Sequence, residues 1–134
     1  MENKKEIRWK QRFQNFEKAF LQLKKGINSF ENLDELAKEG LIQRFEYTFE
    51  LSWKTIKDFL EAKGVTVKFP RDAIKNAFQT NVIDNGELWI NMLNDRNLMA
   101  HTYDENNFNK ALNNITKLYF VEIEKLYNFL KNEQ

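Results

Sequence analysis

One short stretch of the chain collects side chains that could handle a phosphate group. Residues 96–103 read Arg-Asn-Leu-Met-Ala-His-Thr-Tyr and include the only histidine of the sequence. At roughly 100° per residue in a helix, four of these side chains fall within one arc of about 160°. They are Arg96, Asn97, His101 and Tyr103. A guanidinium, an amide, an imidazole and a phenol would therefore share one helical face.

Each of these groups suits a step of phosphate chemistry. The planar guanidinium of Arg96 can bind two phosphate oxygens at once. An imidazole titrates near neutral pH, so His101 could accept or donate a proton. The two side chains lie about 140° apart on a helix, which lets them flank one ligand group. Asn97 precedes His101 by one turn and could orient its ring or bind a phosphate oxygen.

A purely structural role for the same residues is the alternative. His101 could satisfy buried backbone groups, and Tyr103 could be a core aromatic residue whose hydroxyl reaches water. Trp89 and Leu93 lie one to three turns upstream on the face of Ala100, so an apolar strip leads into the polar cluster. Such a strip is expected at a helix–helix or a subunit interface, and a two-fold dimer would double the set of catalytic groups.

The composition indicates one soluble, cytoplasmic domain without metal or cofactor. The 134 residues are enough for one domain and too few for two, so residues 1–134 are predicted to form a single helical domain. A net charge of +1 gives no general basic surface for nucleic acid, although a local basic site is compatible with it. With no cysteine and one histidine, neither disulfides nor a Cys- or His-rich metal site is expected. The sequence shows neither a signal peptide nor an apolar run of membrane-spanning length.

One proline and four glycines predict an all-α chain. Ser29 is expected to cap a short helix that Gly40 ends. Glu122 occupies an apolar seam position of the last helix, and the sequence offers no reason for it. The pattern predicts an antiparallel four-helix-type bundle with short additional helices. Long helices are expected over about 4–25, 41–63 and 108–130, and shorter ones over about 29–38, 70–78 and 87–101.

Three stretches, in order along the chain, carry a more specific pattern. Residues 44–54 read RFEYTFELSWK, residues 69–78 read FPRDAIKNAF, and residues 93–104 read LNDRNLMAHTYD. The third contains Arg-x-x-x-x-His-x-Tyr. Together they resemble the nucleotidyltransferase substrate-binding proteins, a prokaryotic branch of the HEPN superfamily (higher eukaryotes and prokaryotes nucleotide-binding domain). The resemblance covers nearly the whole chain, and Ala100 stands where a small residue such as Ser is expected.

This resemblance implies a helical homodimer whose partner is a separately encoded minimal nucleotidyltransferase. One description of the family makes the helical protein the substrate-binding subunit of that transferase. Another makes the pair a toxin–antitoxin system, in which the HEPN protein is a metal-independent ribonuclease. In the second description Arg96 and His101 would be catalytic, and Asn97 would position the RNA phosphate. The transferase would neutralise the toxin by attaching AMP to Tyr103.

Three hypotheses about function follow. The first is a ribonuclease toxin that leaves a 2′,3′-cyclic phosphate and a 5′-hydroxyl. The second is a non-catalytic subunit that presents a substrate to a partner nucleotidyltransferase. The third is a dimeric helical scaffold. Cleavage of RNA by the purified protein separates the first hypothesis from the other two.

Overall fold

The computed structural model describes residues 3–99 and 105–134, and these residues form helices and connecting turns without any strand. The predicted all-α class is confirmed. Within the described ranges, no helix has both the length and the apolar character that a membrane span requires. The α-helices are α1 (Lys4–Asn28), α2 (Glu35–Ala62), α3 (Pro70–Gln79), α4 (Gly86–Met99), α5 (Glu105–Asn114) and α6 (Phe120–Glu133). A 3₁₀ turn (Phe30–Asn32) follows α1, and a π-helical segment (Ile115–Tyr119) joins α5 to α6.

The two longest helices, α1 and α2, form an antiparallel pair. Near the start of α1, the ring of Trp9 meets the ring of Phe59 edge to face, with centroids 5.0 Å apart. At the other end, Gly26 of α1 lies against Leu41 of α2, where an added Cβ would come within 2.7 Å of the Leu41 side chain. Residue numbers therefore rise along α1 as they fall along α2. The absence of a side chain at Gly26 permits the close approach of the two helices.

The last helix, α6, completes an aromatic core against both α1 and α2. Phe20 of α1 stacks against Phe120 at 5.6 Å and against Tyr127 at 4.5 Å. Phe129 reaches across to Phe59 of α2, with ring centroids 6.0 Å apart. Large buried rings contribute most of the apolar area in such a core. Helix α3 packs against α2, and α4 contacts α3 and the π-helical segment.

The predicted start of the second long helix was wrong. Helix α2 begins at Glu35, after Asp34, whose side chain accepts a hydrogen bond from the Ala37 amide at 2.8 Å. Ser29 caps no helix with its side chain, and Gly40 lies inside α2 instead of ending a helix. A glycine inside a helix costs about 1 kcal/mol. The burial of a neighbour such as Leu41 outweighs that cost, because burying a leucine contributes about 1.5–3 kcal/mol.

The last long helix also differs from its predicted form. It begins at Glu105, three residues before the predicted start, and the π-helical segment interrupts it at Ile115–Tyr119. A π-helical turn holds more residues than an α-helical turn, so it rotates the helix that follows it. Both Tyr119 and Phe120, which are adjacent in sequence, are buried as a result.

Candidate functional site

Arg96 lies near the end of the described part of α4, and three neighbours define its position. Its guanidinium forms an ion pair with the carboxylate of Glu50 on α2. Its Nη1 donates a hydrogen bond to Oδ1 of Asn97 at 3.0 Å. The guanidinium carbon lies 6.0 Å from the centre of the Phe49 ring, within the range of a cation–π contact. The side chain keeps 29% of its surface exposed, so an anion from solvent can reach it.

Two carboxylates of α2 lie close to this arginine. Glu50 also forms an ion pair with Lys54, one turn later on the same helix, at 3.3 Å. One turn earlier, burial raises the pKa of the Glu46 carboxyl, and the positive charge of Arg96 opposes that rise. The link between Glu50 and Arg96 was not predicted, because spacing within one helix does not show which helix lies opposite.

Asp95, the residue before Arg96, ties α4 to the π-helical segment. Its carboxylate accepts a hydrogen bond from the hydroxyl of Tyr119 and a weaker one, at 3.5 Å, from Asn114. Burial, strengthened by this bond and by the negative charge of Asp95, raises the pKa of Tyr119 far above its ordinary value. The phenol is therefore a neutral donor throughout the physiological pH range. The Tyr119 ring is buried against Phe45.

The predicted site residues are only partly described by the structure. Arg96 and Asn97 are neighbours that share a hydrogen bond, and Asn97 is exposed. His101 and Tyr103, together with Ala100, lie outside the described residues. The role of Arg96 and Asn97 in binding a phosphate stays a prediction. The pairing of Arg96 with His101 and the accessibility of Tyr103 stay predictions.

The apolar strip upstream of this cluster is a contact within the chain. Trp89 is fully buried and Leu93 is 6% exposed. The Trp89 ring packs against Phe49 of α2 with centroids 6.0 Å apart. The strip is therefore a helix–helix contact within the chain, as one of the two interpretations predicted. The homodimer stays a prediction.

Among the described residues, the site offers the positive charge of Arg96 and no cluster that could hold a metal ion. Across residues 3–99 and 105–134, no group of three or more acidic or histidine side chains is gathered to hold a metal ion. The chemistry available is that of one guanidinium, one amide and the carboxylates of Glu46 and Glu50. A phosphate that reaches Arg96 would meet a guanidinium already paired with Glu50, and would compete with that carboxylate for it.

Sequence comparison assigns the family. The profile of the family described as "Nucleotidyltransferase substrate binding protein like" matches residues 11–132. The chain belongs to this family. A Haemophilus influenzae protein named "Probable ribonuclease HepT" is 30% identical to the chain over 71 residues. That match covers 49% of this chain and 49% of the relative, so the chain spans about half the length of the curated relative.

Two solved structures share the fold. A crystal structure from Thermus thermophilus matches with a TM-score of 0.79 and 29% identity, over 87% of this chain and 98% of that one. A Haemophilus influenzae structure is described as having the fold of a substrate binding domain of a nucleotidyltransferase. It matches with a TM-score of 0.74 and 22% identity, over 89% of this chain and 98% of that one. At that identity the second match shows the fold alone.

Proposed function

We propose that this chain is a metal-independent ribonuclease and the toxin of a toxin–antitoxin pair with a minimal nucleotidyltransferase. The observation that carries the proposal is the position of Arg96. Its guanidinium is partly exposed, has the amide of Asn97 beside it, and is supported by Glu50 and the Phe49 ring. An arginine fixed in this way, five residues before the only histidine, is suited to an RNA phosphate. The partial match to a protein named as a ribonuclease supports the same activity.

The reaction uses general acid–base chemistry and charge stabilisation. A base removes the proton of the ribose 2′-hydroxyl, and that oxygen attacks the neighbouring phosphorus. The bond from phosphorus to the 5′-oxygen breaks, and an acid supplies the proton that this oxygen takes up. His101 provides the proton transfer, Arg96 stabilises the charge that grows on the phosphorane, and Asn97 positions the phosphate. The products are a 2′,3′-cyclic phosphate and a 5′-hydroxyl.

One chain offers one histidine, whereas the reaction has two proton transfers. A homodimer that brings two copies of the site to one cleft would supply a histidine for each step. The partner nucleotidyltransferase would attach AMP to Tyr103. The added phosphate would then lie close to Arg96 and His101 and compete with the RNA phosphate. The whole chain, residues 1–134, acts as one domain in this scheme.

A second function is favoured by the family itself. The description of the matching family refers to substrate binding by a nucleotidyltransferase. In that case the chain is a non-catalytic subunit, and Arg96 and Asn97 hold the substrate of the partner enzyme. The two functions differ in one direct respect, since only the first predicts that the purified chain alone cleaves RNA.

The test is incubation of the purified chain with RNA in excess EDTA. Cleavage should proceed with the chelator and should stop in His101→Ala and Arg96→Ala, while helical content by circular dichroism stays unchanged. Arg8→Ala, a substitution at an exposed arginine of α1, is the matched control and should cleave normally. If the wild-type chain leaves the RNA intact, the ribonuclease proposal is wrong and the substrate-binding function replaces it.

A further inference from the structure

Helices α3 and α4 pack antiparallel, which brings the start of α3 toward the end of α4 that carries Arg96. At one end of the pair, a Cβ added at Gly86 would come within 3.1 Å of the Phe78 ring. At the other end, Nη2 of Arg71 lies 3.5 Å from Oδ1 of Asn94. Residue numbers therefore fall along α3 as they rise along α4. The chain segment that precedes Arg71 accordingly lies beside the end of α4.

Two asparagines of α4 connect Arg71 to Arg96. Asn94 contacts the Arg71 guanidinium, and Asn97 accepts a hydrogen bond from Nη1 of Arg96 at 3.0 Å. Residues three positions apart on a helix are surface neighbours, with Cβ atoms about 5–6 Å apart. Both asparagines are exposed. The two guanidiniums therefore flank one polar strip of α4, and a single extended ligand can contact both.

Arg71 differs from the other arginines in the use of its donors. The chain has five arginines, and four of them either pair with a carboxylate or donate to a backbone carbonyl. These four are Arg8, Arg12, Arg44 and Arg96. Within the described residues, Arg71 makes the long contact with Asn94 and no ion pair. A guanidinium carries five N–H donors, so most of those of Arg71 are available to an anion.

The surroundings of Arg71 are basic and include an exposed aromatic ring. Residues 68–76 carry three cations and one carboxylate, all of them exposed, which gives a net charge of +2. They are Lys68, Arg71, Lys75 and Asp72. Phe69, two residues before Arg71, is 65% exposed, more than any other aromatic side chain of the described residues. Cations that follow a phosphate backbone, combined with an aromatic ring on which a base can stack, are typical of surfaces that bind single-stranded nucleic acid.

We propose that Arg71 and Phe69 form a second RNA-binding position, which holds an unpaired nucleotide next to the one cleaved at Arg96. This inference rests on the proposed ribonuclease function and extends it to a substrate class. Arg71 binds a neighbouring phosphate of the same strand, and the Phe69 ring stacks on a base. A base must be unpaired to stack on a side chain, so the substrate is single-stranded RNA with more than one phosphate.

The test is the binding of a short single-stranded 2′-O-methyl oligonucleotide, labelled with fluorescein and followed by anisotropy. The probe keeps the phosphates and bases of RNA but has no free 2′-hydroxyl, so the chain cannot cleave it. Arg71→Gln should raise Kd by about tenfold and reduce the slope of log Kd against log salt concentration by about 0.7, the value for one phosphate contact on a single strand. Arg8→Gln removes the same charge from an exposed arginine of α1 and should change neither value.

The aromatic part of the position has its own matched variants. Phe69→Ala should raise Kd by about tenfold, whereas Phe69→Trp should preserve binding, since any aromatic ring can stack on a base. Phe78→Ala, at the opposite end of α3 and 50% exposed in the wild type, is the control and should bind normally. Arg71 and Phe69 are both exposed, so their variants should keep the melting temperature of the wild type.

Binding of the uncleavable strand and cleavage of RNA are separate measurements, so the two proposals fail separately. If the wild-type chain cleaves RNA but Arg71→Gln binds the strand as well as Arg8→Gln does, the second position is wrong and the ribonuclease stands. If Arg71→Gln weakens binding but the wild-type chain cleaves no RNA, the ribonuclease is wrong and the RNA-binding position stands. A wild-type chain that does not bind the strand would contradict the second position. Competition by polyglutamate as strong as that by unlabelled strand would contradict it too, because the surface would then bind any polyanion.

Discussion

At the scale of single residues, the Glu50 carboxylate has two opposing effects on Arg96. The Glu50 carboxylate holds the guanidinium in place, which favours a fixed geometry for a transition state. The same carboxylate neutralises part of the charge that an RNA phosphate needs. The Asn97 amide and the Phe49 ring complete the support without adding charge.

Glu50→Gln separates these two effects. Loss of one negative charge beside Arg96 should strengthen RNA binding, so we expect KM to fall by about three- to tenfold. The weaker support for the guanidinium should lower kcat by about tenfold. Steady-state cleavage of a short RNA measures both constants. Glu39→Gln, an exposed position on the same helix, is the control and should change neither. A KM that rises in Glu50→Gln would show that the carboxylate helps the substrate to bind.

At the scale of the elements, Tyr119 connects the π-helical segment to the end of α4 that carries Arg96. Its hydroxyl donates to the Asp95 carboxylate, and a hydrogen bond to a charged group contributes about 1.5–3 kcal/mol. Tyr119→Phe should therefore lower the free energy of unfolding by about that amount in urea denaturation. Tyr47→Phe, which changes an exposed tyrosine of α2, should have almost no effect. Equal stabilities of the two variants would contradict the role given to the Tyr119 hydroxyl.

Two glycines test the packing of α1 against α2 with opposite expected signs. A Cβ at Gly26 would lie 2.7 Å from a buried carbon of Leu41, so Gly26→Ala should destabilise the fold by about 1–3 kcal/mol. A Cβ at Gly40 would meet nothing within 4 Å, and Gly40→Ala should stabilise α2 by about 0.5–1 kcal/mol. Thermal or urea unfolding of both variants gives the comparison. Destabilisation by Gly40→Ala would show that the glycine serves another purpose.

The sequence predicts the helices better than their ends. The buried face of α1 can be predicted from the sequence, because its apolar residues recur in steps of three and four and a helical period depends only on the local sequence. These residues are Trp9, Phe13, Phe16 and Phe20, and all four are buried. The prediction of a helix end at Gly40 was wrong, since local propensity cannot include the burial of Leu41 that keeps α2 continuous.

The candidate site shows the same division between local and long-range information. Arg96 and Asn97 are neighbours in sequence, and their grouping was predictable. The contacts that hold this end of α4 were not predictable. Glu50, which pairs with Arg96, and Tyr119, which donates to Asp95, come from α2 and the π-helical segment, and only the tertiary packing brings them to α4. Nothing in the spacing of α2 or of the last helix distinguishes these two residues from ordinary surface and core positions.

At the scale of the whole molecule, the proposed control of the ribonuclease depends on a second protein. The partner nucleotidyltransferase, with ATP and magnesium, should add one or more AMP groups to the chain, which intact-mass spectrometry would detect. The gain should disappear in Tyr103→Phe and persist in Tyr47→Phe. The modified chain should lose RNA cleavage and keep its melting temperature, since the AMP phosphate competes for Arg96 without altering the core. A mass gain that survives Tyr103→Phe would place the modification elsewhere.

The most direct measurement of the central claim is the end-group analysis of RNA treated with the purified chain in EDTA. Cleavage by Arg96 and His101 without a metal ion predicts fragments that end in a 2′,3′-cyclic phosphate and begin with a 5′-hydroxyl. Arg96→Ala and His101→Ala should each reduce the yield of these fragments by about a hundredfold or more. Fragments with other ends, cleavage that persists in both variants, or RNA that stays intact with the wild-type chain would contradict the proposed ribonuclease.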